Sequence, residues 1–213
     1  MRKDIPLLST AYLPTIRYIA CLVQYGAATI ERNETFPKQT FRNRTKIATG
    51  NGILMLQVPV SRPSGNHTMT GEITVSYHEP WNIRHWRAIV SAYNAAPYFL
   101  YYRDGIEEIL LKPHDKLVEL NDQLLKFLLK KMKIECELDY STDYIPAGEH
   151  PLDYRGWLTS KKGQRDESFP SYSQVFDAKN GFMPNMSVID LLFNLGPEAK
   201  SYLQSLCTAE QRI

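Results

Sequence analysis

The first 31 residues alternate between short apolar runs and a segment of helical period, and this alternation constrains the fold more than any other feature of the chain. An apolar run at residues 5–8 is followed by a stretch in which apolar side chains recur at helical spacing, at Ile16, Ile19, Leu22 and Val23. A second short run with strand character occupies residues 27–31. A strand, a helix and a second strand in succession are typical of α/β proteins, so an α/β fold is predicted.

Later segments continue this alternation. Asn51-Gly52 is a strong turn signal, and the apolar, partly β-branched run at residues 53–60 predicts a strand after it. A helix is predicted between Pro80 and Pro97, because proline is well placed in a first helical turn and also stops a helix. A longer helix is predicted to start near Asp115.

Capping patterns predict further helix boundaries. Asp104 and Glu107 have the spacing of an acid-first capping pattern, which places a helix start there. Ser187 and Asp190 have the spacing of a capping box that opens a short apolar helix. Gly196 then suits the C-cap of that helix, just before the last helix of the chain.

Length and composition indicate how these elements are grouped. The chain has 213 residues, 43% of them hydrophobic, which suffices for one sizeable core. We therefore predict a single domain over residues 1–213, with an N-terminal mixed or parallel sheet flanked by helices and a helical C-terminal part. The stretch at residues 139–170 is rich in Pro, Gly, Ser, Lys and Asp, so a long polar loop is expected there.

Aromatic and charged residues of this long loop are candidates for ligand binding. Asp153, Tyr154 and Arg155 could form a sugar-stacking lid together with Tyr172 and Gln174. The alternative is that the aromatic residues fasten the loop to the body of the protein.

The basic segment at residues 38–46 carries the densest cluster of anion-binding groups. In a strand, Arg42, Arg44 and Lys46 would alternate onto one face and could hold a diphosphate, because the guanidinium groups of the arginines match phosphate oxygens. The alternative is a solvated basic edge that discourages strand pairing. The candidate ligand-binding residues are Lys38, Gln39, Arg42, Asn43 and Arg44.

Polar residues that follow the first two strands are a second set of candidates. Ser9 and Thr10 end the first strand before a helix, where open α/β sheets bind ligands and a helix N-terminus can receive a phosphate. They could equally satisfy loop backbone groups. Glu31 and Glu34 could share a pocket with the arginines or form ion pairs with them.

His85 is the candidate catalytic residue. It lies between Arg84 and Trp86 on the predicted helix, and imidazole titrates near neutral pH, so it could act as a general acid or base. The alternative is a helix histidine that serves as an interface or core residue.

Several function classes are disfavoured by the sequence. The glycine-rich nucleotide motifs and the GxSxG elbow are missing, and a net charge of +2 without a recognition motif argues against nucleic-acid binding. No histidine or cysteine cluster supports zinc, so no obligatory metal or cofactor is predicted, although Mg²⁺ could accompany a nucleotide-linked donor.

Location is predicted from three features. No run approaches a membrane span, the N-terminal apolar run is broken by Pro6, Pro14 and Arg17, and three widely spaced cysteines suit a reducing compartment. We therefore expect a cytoplasmic protein, for which peripheral membrane contact stays possible.

Blocks of residues along nearly the whole chain resemble those of WbqC-like proteins, in the form found among Bacteroidetes. The blocks are Tyr12-Leu-Pro14 with Tyr18, Lys38-Gln39, Arg42-Asn43-Arg44, Asn51-Gly52, Val58-Pro59-Val60, Trp81, His85-Trp86, Ala92-Tyr93, Pro97-Tyr98-Phe99 and the segment 182–197. Related chains often begin with Gln-Pro and carry a glycine before the tyrosine of the first helix. This chain has Ser9-Thr10 and Arg17 instead, so its entry loop is altered.

The resemblance implies a role in bacterial surface-polysaccharide biosynthesis, such as O-antigen or capsule. It implies a transferase that acts on a phosphate-bearing or activated sugar or acyl donor, with no established catalytic residue to carry over. The alternative is a non-catalytic binding or scaffolding protein of the glycan-assembly machinery. Either way, a small anionic or sugar ligand is the expected partner.

Overall fold

The computed structural model describes residues 4–158 and 169–207. Its strands are β1 (Leu7–Ser9), β2 (Ala27–Glu31), β3 (Arg44–Thr49), β4 (Gly52–Gln57), β5 (Val60–Ser61), β6 (Thr74–Val75) and β7 (Glu137–Tyr140). Its helices are α1 (Ile16–Tyr25), α2 (Trp81–Tyr93), α3 (Phe99–Leu111), α4 (Leu117–Lys131), α5 (Asp177–Asn180), α6 (Val188–Leu195) and α7 (Ala199–Ser205). Short 3₁₀ turns lie at Gly65–His67, Thr70–Glu72, Arg155–Leu158 and Gly196–Glu198.

A three-stranded parallel sheet forms the centre of the fold. Strand β2 lies between β1 and β7, with Leu7 opposite Thr29 and Thr29 opposite Asp139. Asp153 adds a parallel bridge to Leu7 on the free edge of β1. Because all of these strands run in the same direction, their carboxyl ends meet at one edge of the sheet.

Two antiparallel pairs lie apart from this sheet. Strands β3 and β4 form a hairpin with Arg44 opposite Gln57 and Thr49 opposite Gly52. A turn is therefore present as predicted, but its two central residues are Gly50 and Asn51, one position before the predicted Asn51-Gly52 pair. The predicted strand at residues 53–60 is divided between β4 and β5, because β5 leaves the hairpin and pairs with β6.

Helices cover the sheet and share one hydrophobic core with it. A single cluster of buried side chains runs from Leu8 to Leu206 and includes Ile19, Leu124 and Leu192. The α/β class and the helical C-terminal part are therefore confirmed. In the part of the chain that the structure describes, no helix is long and apolar enough to cross a membrane.

The helix start predicted at Asp104 is wrong. Asp104 and Glu107 lie inside α3, which runs uninterrupted through Gly105. A glycine is needed there because a Cβ atom at Gly105 would come within 2.2 Å of the Phe127 ring on α4. The glycine that resembled a helix boundary is thus a close contact between two helices.

The capping box predicted at Ser187 is also wrong, although α6 does begin at Val188. The Ser187 hydroxyl donates to the carbonyl of Leu13 at 2.9 Å instead of capping the helix. The Ser187 N–H donates to the Lys46 carbonyl at 2.8 Å, so it does not bind the Asp190 carboxylate, which accepts from the Tyr172 hydroxyl at 2.6 Å. Gly196 is the C-cap as predicted, with a φ of 53°.

The predicted polar loop at residues 139–170 is ordered where the structure describes it. It leaves the end of β7, pairs with β1 at Asp153 and forms the 3₁₀ turn Arg155–Leu158. Residues 159–168 of the predicted loop lie outside the described residues.

Candidate functional site

Polar side chains gather where the parallel strands end. Ser9 ends β1, Glu31 ends β2 and Ser141 follows β7. Glu31 is fully buried, and its carboxylate accepts from the Ser141 hydroxyl at 2.6 Å and from the backbone N–H groups of Asn33 and Ile145 at 2.7 and 3.0 Å. These hydrogen bonds make Glu31 a fixed anchor of the sheet edge, because little of its acceptor capacity is left.

Arg42 enters the same edge from the segment before β3. Its Nε and Nη2 donate to the two carboxylate oxygens of Glu34 at 2.8 and 2.7 Å, and Nη2 also donates to the Ser9 hydroxyl at 2.5 Å. The Arg42 side chain is only 3% exposed. Its Nη1 has no hydrogen-bond partner among the described residues, so the guanidinium retains donor capacity that the protein does not use.

Arg155 reaches the edge from the segment that pairs with β1. Its guanidinium binds Asp153 through two hydrogen bonds, at 2.9 and 2.5 Å, and its Nη1 lies 3.5 Å from Glu31. Burial alone would raise the pKa of Asp153, but the hydrogen bonds from Arg155 outweigh it and hold this pKa below its ordinary value. Asp153 therefore stays ionised at neutral pH.

These groups border a cleft of about 570 Å³ that we call the carboxyl-edge cleft. It is lined by Glu34, Pro37, Arg42, Tyr144, Ala147, Gly148, His150, Pro151, Asp153, Arg155 and Gly156. Two carboxylates and two guanidinium groups face it, so its lining is charged but balanced. Tyr144 is 52% exposed, and the Arg155 guanidinium lies 5.8 Å from the centre of its ring.

A second cavity of about 470 Å³ lies on the other side of the same segment, and we call it the basic pocket. It is lined by Phe36, Lys38, Gln39, Asn43, Arg44, Gln57, Pro59, Val60 and Arg62. Three of these residues are cationic, and no carboxylate belongs to the lining that the structure describes. The Arg44 Nε is buried without a hydrogen-bond partner among the described residues.

The backbone around the basic pocket is held in place. The Asn43 side chain donates to the Val58 carbonyl at 2.9 Å, and the Val58 N–H donates to the Asn43 carbonyl at 2.8 Å. Gln39 has a φ of 60°, a left-handed conformation that costs free energy in a residue other than glycine. Adjacent residues 42 and 43 point to opposite sides, which is why one segment lines both cavities.

His85 does not line the basic pocket, but it contacts Gln57, which does. Its Nδ1 is 2.8 Å from the Tyr12 hydroxyl, and its ring also hydrogen-bonds to the backbone of Gln57 at the end of β4. Burial, with a smaller contribution from Arg84, outweighs the Gln57 bond and lowers the His85 pKa to about 4. A neutral imidazole with protein partners supports the strand, and the catalytic role expected for His85 stays a prediction that these contacts do not favour.

The structure separates the ligand-binding candidates into two groups. Arg42, Asp153 and Arg155 line the carboxyl-edge cleft. Ser9 is fully buried and does not line it, and its hydroxyl accepts from the Arg42 Nη2 at 2.5 Å. The basic pocket receives Lys38, Gln39, Asn43 and Arg44. The predicted single basic face of Arg42, Arg44 and Lys46 is wrong, because Arg42 precedes β3 and turns into the sheet edge.

Two candidates are bound to other protein groups. The Thr10 hydroxyl accepts from the Asn121 side chain at 3.0 Å. Tyr154 points away from Asp153 and Arg155, and its hydroxyl lies 3.0 Å from that of Tyr25 on α1. The alternation of side chains along an extended segment explains why Tyr154 leaves the cleft that its neighbours line.

The N-terminus of α1 is occupied by the protein itself. The Ile16 N–H donates to the Met186 carbonyl at 3.0 Å, and the Arg17 N–H donates to the Asn185 side chain at 3.1 Å. Thr15 caps the Tyr18 N–H. A phosphate cannot use these donors without displacing the 185–187 segment, so the expected helix-terminus site is wrong.

Sequence reasoning missed several residues that line the cavities. Tyr144 and His150 lie in the polar loop and line the cleft with Arg42, about a hundred residues earlier in the chain, and Arg62 follows β5 and lines the basic pocket. Ser141 could have been found, because it directly follows a strand of the parallel sheet. Among residues 4–158 and 169–207, no three His, Cys, Asp or Glu side chains are grouped as metal ligands.

Comparison with known proteins identifies the family of the chain. The sequence profile of the WbqC-like protein family matches residues 10–160 and 164–202, and the chain therefore belongs to that family. It is 27% identical over 230 residues to the uncharacterized protein Rv1507c of Mycobacterium tuberculosis (strain ATCC 25618 / H37Rv), an alignment that covers 95% of this chain and 98% of the relative. No solved structure matches the chain.

Proposed function

We propose that this protein is a transferase of bacterial surface-glycan biosynthesis that binds a phosphate-bearing donor in the basic pocket. The observation that carries the proposal is the charge of the pocket: Lys38, Arg44 and Arg62 line it without an acidic neighbour in the described lining. Guanidinium groups donate two parallel hydrogen bonds to phosphate oxygens, so two arginines and a lysine suit a diphosphate. A Mg²⁺ ion bound with the donor would add to this charge neutralisation.

The second cavity supports a transfer reaction rather than simple anion storage. A transferase needs a donor and an acceptor, and the segment between β2 and β3 lines two cavities of different charge. The donor would occupy the basic pocket, which leaves the other cavity, lined by Arg42 and Glu34, for the second substrate. His85 then has a positioning role, because it holds Gln57 and through it the wall of the basic pocket.

A thermal-shift screen tests this proposal. The purified protein is heated with nucleotide-sugars, acyl-CoA thioesters, free nucleotides and isoprenoid phosphates, because a ligand of the native state raises the melting temperature by mass action. A phosphate-bearing donor should stabilise the wild type and the Arg87→Gln control, whose arginine is exposed on α2. It should stabilise Arg44→Gln and Arg62→Gln much less. Equal stabilisation of all four proteins would contradict the proposal.

One observation favours the alternative of a non-catalytic scaffolding protein. Ile53, Leu54 and Met55 are consecutive on β4 and are 55%, 41% and 43% exposed. An apolar edge strand of this kind is suited to pairing with another chain. Light scattering distinguishes the two functions. A scaffold should self-associate or capture assembly proteins through β4, and Leu54→Lys should abolish this association. In a transferase, the rise in melting temperature caused by the donor should persist in Leu54→Lys.

A further inference from the structure

The binding of a phosphate-bearing donor in the basic pocket does not explain the charged lining of the carboxyl-edge cleft. Glu34, Arg42, Asp153 and Arg155 place two negative and two positive groups around it, and each carboxylate is paired with one guanidinium. The cleft of about 570 Å³ lies in the usual size range of small-molecule sites. It also lies at the carboxyl ends of parallel strands, where α/β sheets bind ligands.

The charge of the lining selects against ionic ligands. An added anion would meet Glu34 and Asp153, with the buried Glu31 carboxylate 3.5 Å behind Arg155. An added cation would meet Arg42 and Arg155, which already occupy the carboxylate oxygens. A ligand of one sign therefore gains attraction from half of the lining and repulsion from the other half.

The polar capacity of the lining selects against apolar ligands. The lining includes two carboxylates and two guanidinium groups, and an apolar ligand would cover these groups without offering them a hydrogen bond. A hydroxyl group both donates and accepts, so neighbouring hydroxyls can bind a carboxylate and a guanidinium at once. Tyr144, 52% exposed beside Arg155, offers an aromatic face for the C–H surface of a ring.

We propose that the carboxyl-edge cleft binds the acceptor of the reaction and that this acceptor is an uncharged carbohydrate. Glu34 and Asp153 accept hydrogen bonds from its hydroxyls, and its ring stacks on Tyr144. The acceptor role rests on the proposed function, whereas carbohydrate binding in the cleft can be tested without any donor.

Saturation-transfer NMR with neutral glycosides tests the proposal. The probes are methyl glycosides of hexoses, of a 6-deoxyhexose and of a 2-acetamido-2-deoxyhexose, with methyl glucuronoside as the charged comparison. At least one neutral glycoside should receive saturation from the wild-type protein. Tyr144→Ala should weaken its binding about threefold to tenfold, as expected for loss of one stacking contact, while Tyr144→Phe keeps the ring and the binding.

Controls separate this proposal from the donor site. Tyr101→Ala removes a tyrosine that is more exposed than Tyr144, 76% against 52%, and lies on α3, and it should leave glycoside binding unchanged. Arg44→Gln should also leave it unchanged, because Arg44 lines the other cavity. If phosphate donors fail to bind but glycosides behave as described, the proposed function falls and the carbohydrate site stands.

Two results would overturn the carbohydrate site. One is the absence of saturation for every neutral glycoside, or a preference for the glucuronoside. The other is binding that Tyr144→Ala does not weaken. Glu34→Gln should also weaken glycoside binding. If that variant does not fold, Tyr144→Ala still tests the site, because the Tyr144 side chain is half-exposed and contributes little to folding.

Discussion

Glu34 holds the buried guanidinium of Arg42 through both of its carboxylate oxygens, at 2.8 and 2.7 Å. This ion pair links the segment after β2 to the segment before β3, and Arg42 continues the link to Ser9 at the end of β1. The pair therefore fixes the wall between the carboxyl-edge cleft and the basic pocket. Removing this ion pair should lower the stability of the protein and also weaken ligand binding.

Glu34→Ala should destabilise the protein by about 3–5 kcal/mol, because it leaves the Arg42 charge buried without its partner. The exposed pair of Glu79 and Arg84 is the matched control, with side chains 68% and 56% exposed. Glu79→Ala should change the free energy of unfolding by less than about 1 kcal/mol. Urea denaturation of both variants measures this, and equal small losses would show that the Glu34 pair is not the structural link described.

His85 should make the protein less stable in mild acid. Burial lowers its pKa to about 4 in the native state, whereas the unfolded chain binds the proton near pH 6.5. The native state binds fewer protons between these values, so stability is highest above pH 6.5 and falls as the pH drops toward 4. The loss attributable to His85 should be about 3 kcal/mol.

Chemical denaturation at several pH values between 7 and 4 checks the His85 prediction. The loss of stability with falling pH should be smaller in His85→Gln than in the wild type. His67→Gln, which changes an exposed histidine on a 3₁₀ turn, should retain the wild-type slope. An unaltered slope in His85→Gln would mean that His85 is not buried in its neutral form.

Gly105→Ala should destabilise the protein even though alanine favours helices. A Cβ atom at position 105 would come 2.2 Å from the Phe127 ring, so overpacking should cost about 1–3 kcal/mol. The smaller side chain of Phe127→Leu should relieve the clash, and the double variant should be more stable than the sum of the two single losses predicts. A stabilising Gly105→Ala in thermal unfolding would contradict the close packing of α3 and α4.

Tyr172→Phe should cost about 1.5–3 kcal/mol at neutral pH, because it removes a 2.6 Å hydrogen bond to the buried Asp190. Burial raises the pKa of Asp190, and the Tyr172 bond opposes that rise by favouring the ionised form. The stability lost in the variant should therefore shrink as the pH falls and Asp190 becomes protonated.

Denaturant titrations at neutral and acidic pH measure the Tyr172 effect. Tyr202→Phe is the control, because the Tyr202 hydroxyl donates to the backbone carbonyl of Pro170 at 2.7 Å, a group that does not titrate. A loss in Tyr172→Phe that is independent of pH would show that Asp190 does not ionise in the native protein.

The sequence predicted the elements of this fold better than their caps. Helical periodicity located α1, and short apolar runs located β2 and β4, because both signals are local patterns in the sequence. Asp104 and Ser187 were misread, since their roles depend on Phe127 and Leu13, which approach from distant parts of the chain. A capping pattern describes only contacts between residues close in sequence, and at these two positions contacts with distant residues took their place.

The candidate site was predicted in its residues but not in its arrangement. Arg42 and Arg44 have the spacing of one strand face, and a sequence pattern cannot show that β3 begins only at Arg44. Arg62 and Tyr144 carry no signal of their own, because each is an ordinary loop residue until the chain folds. Charge in the sequence thus identified the segment, and topology decided which cavity each side chain reached.

Calorimetric titration with inorganic pyrophosphate tests the central claim most directly, because this probe carries the diphosphate and nothing else. Wild type and Arg87→Gln should bind it with the same affinity, and Arg44→Gln should bind it about tenfold to a hundredfold more weakly through loss of a charge-assisted contact. Arg62→Gln should weaken binding in the same direction. No binding to the wild type, or equal affinity in all four proteins, would contradict a phosphate site in the basic pocket.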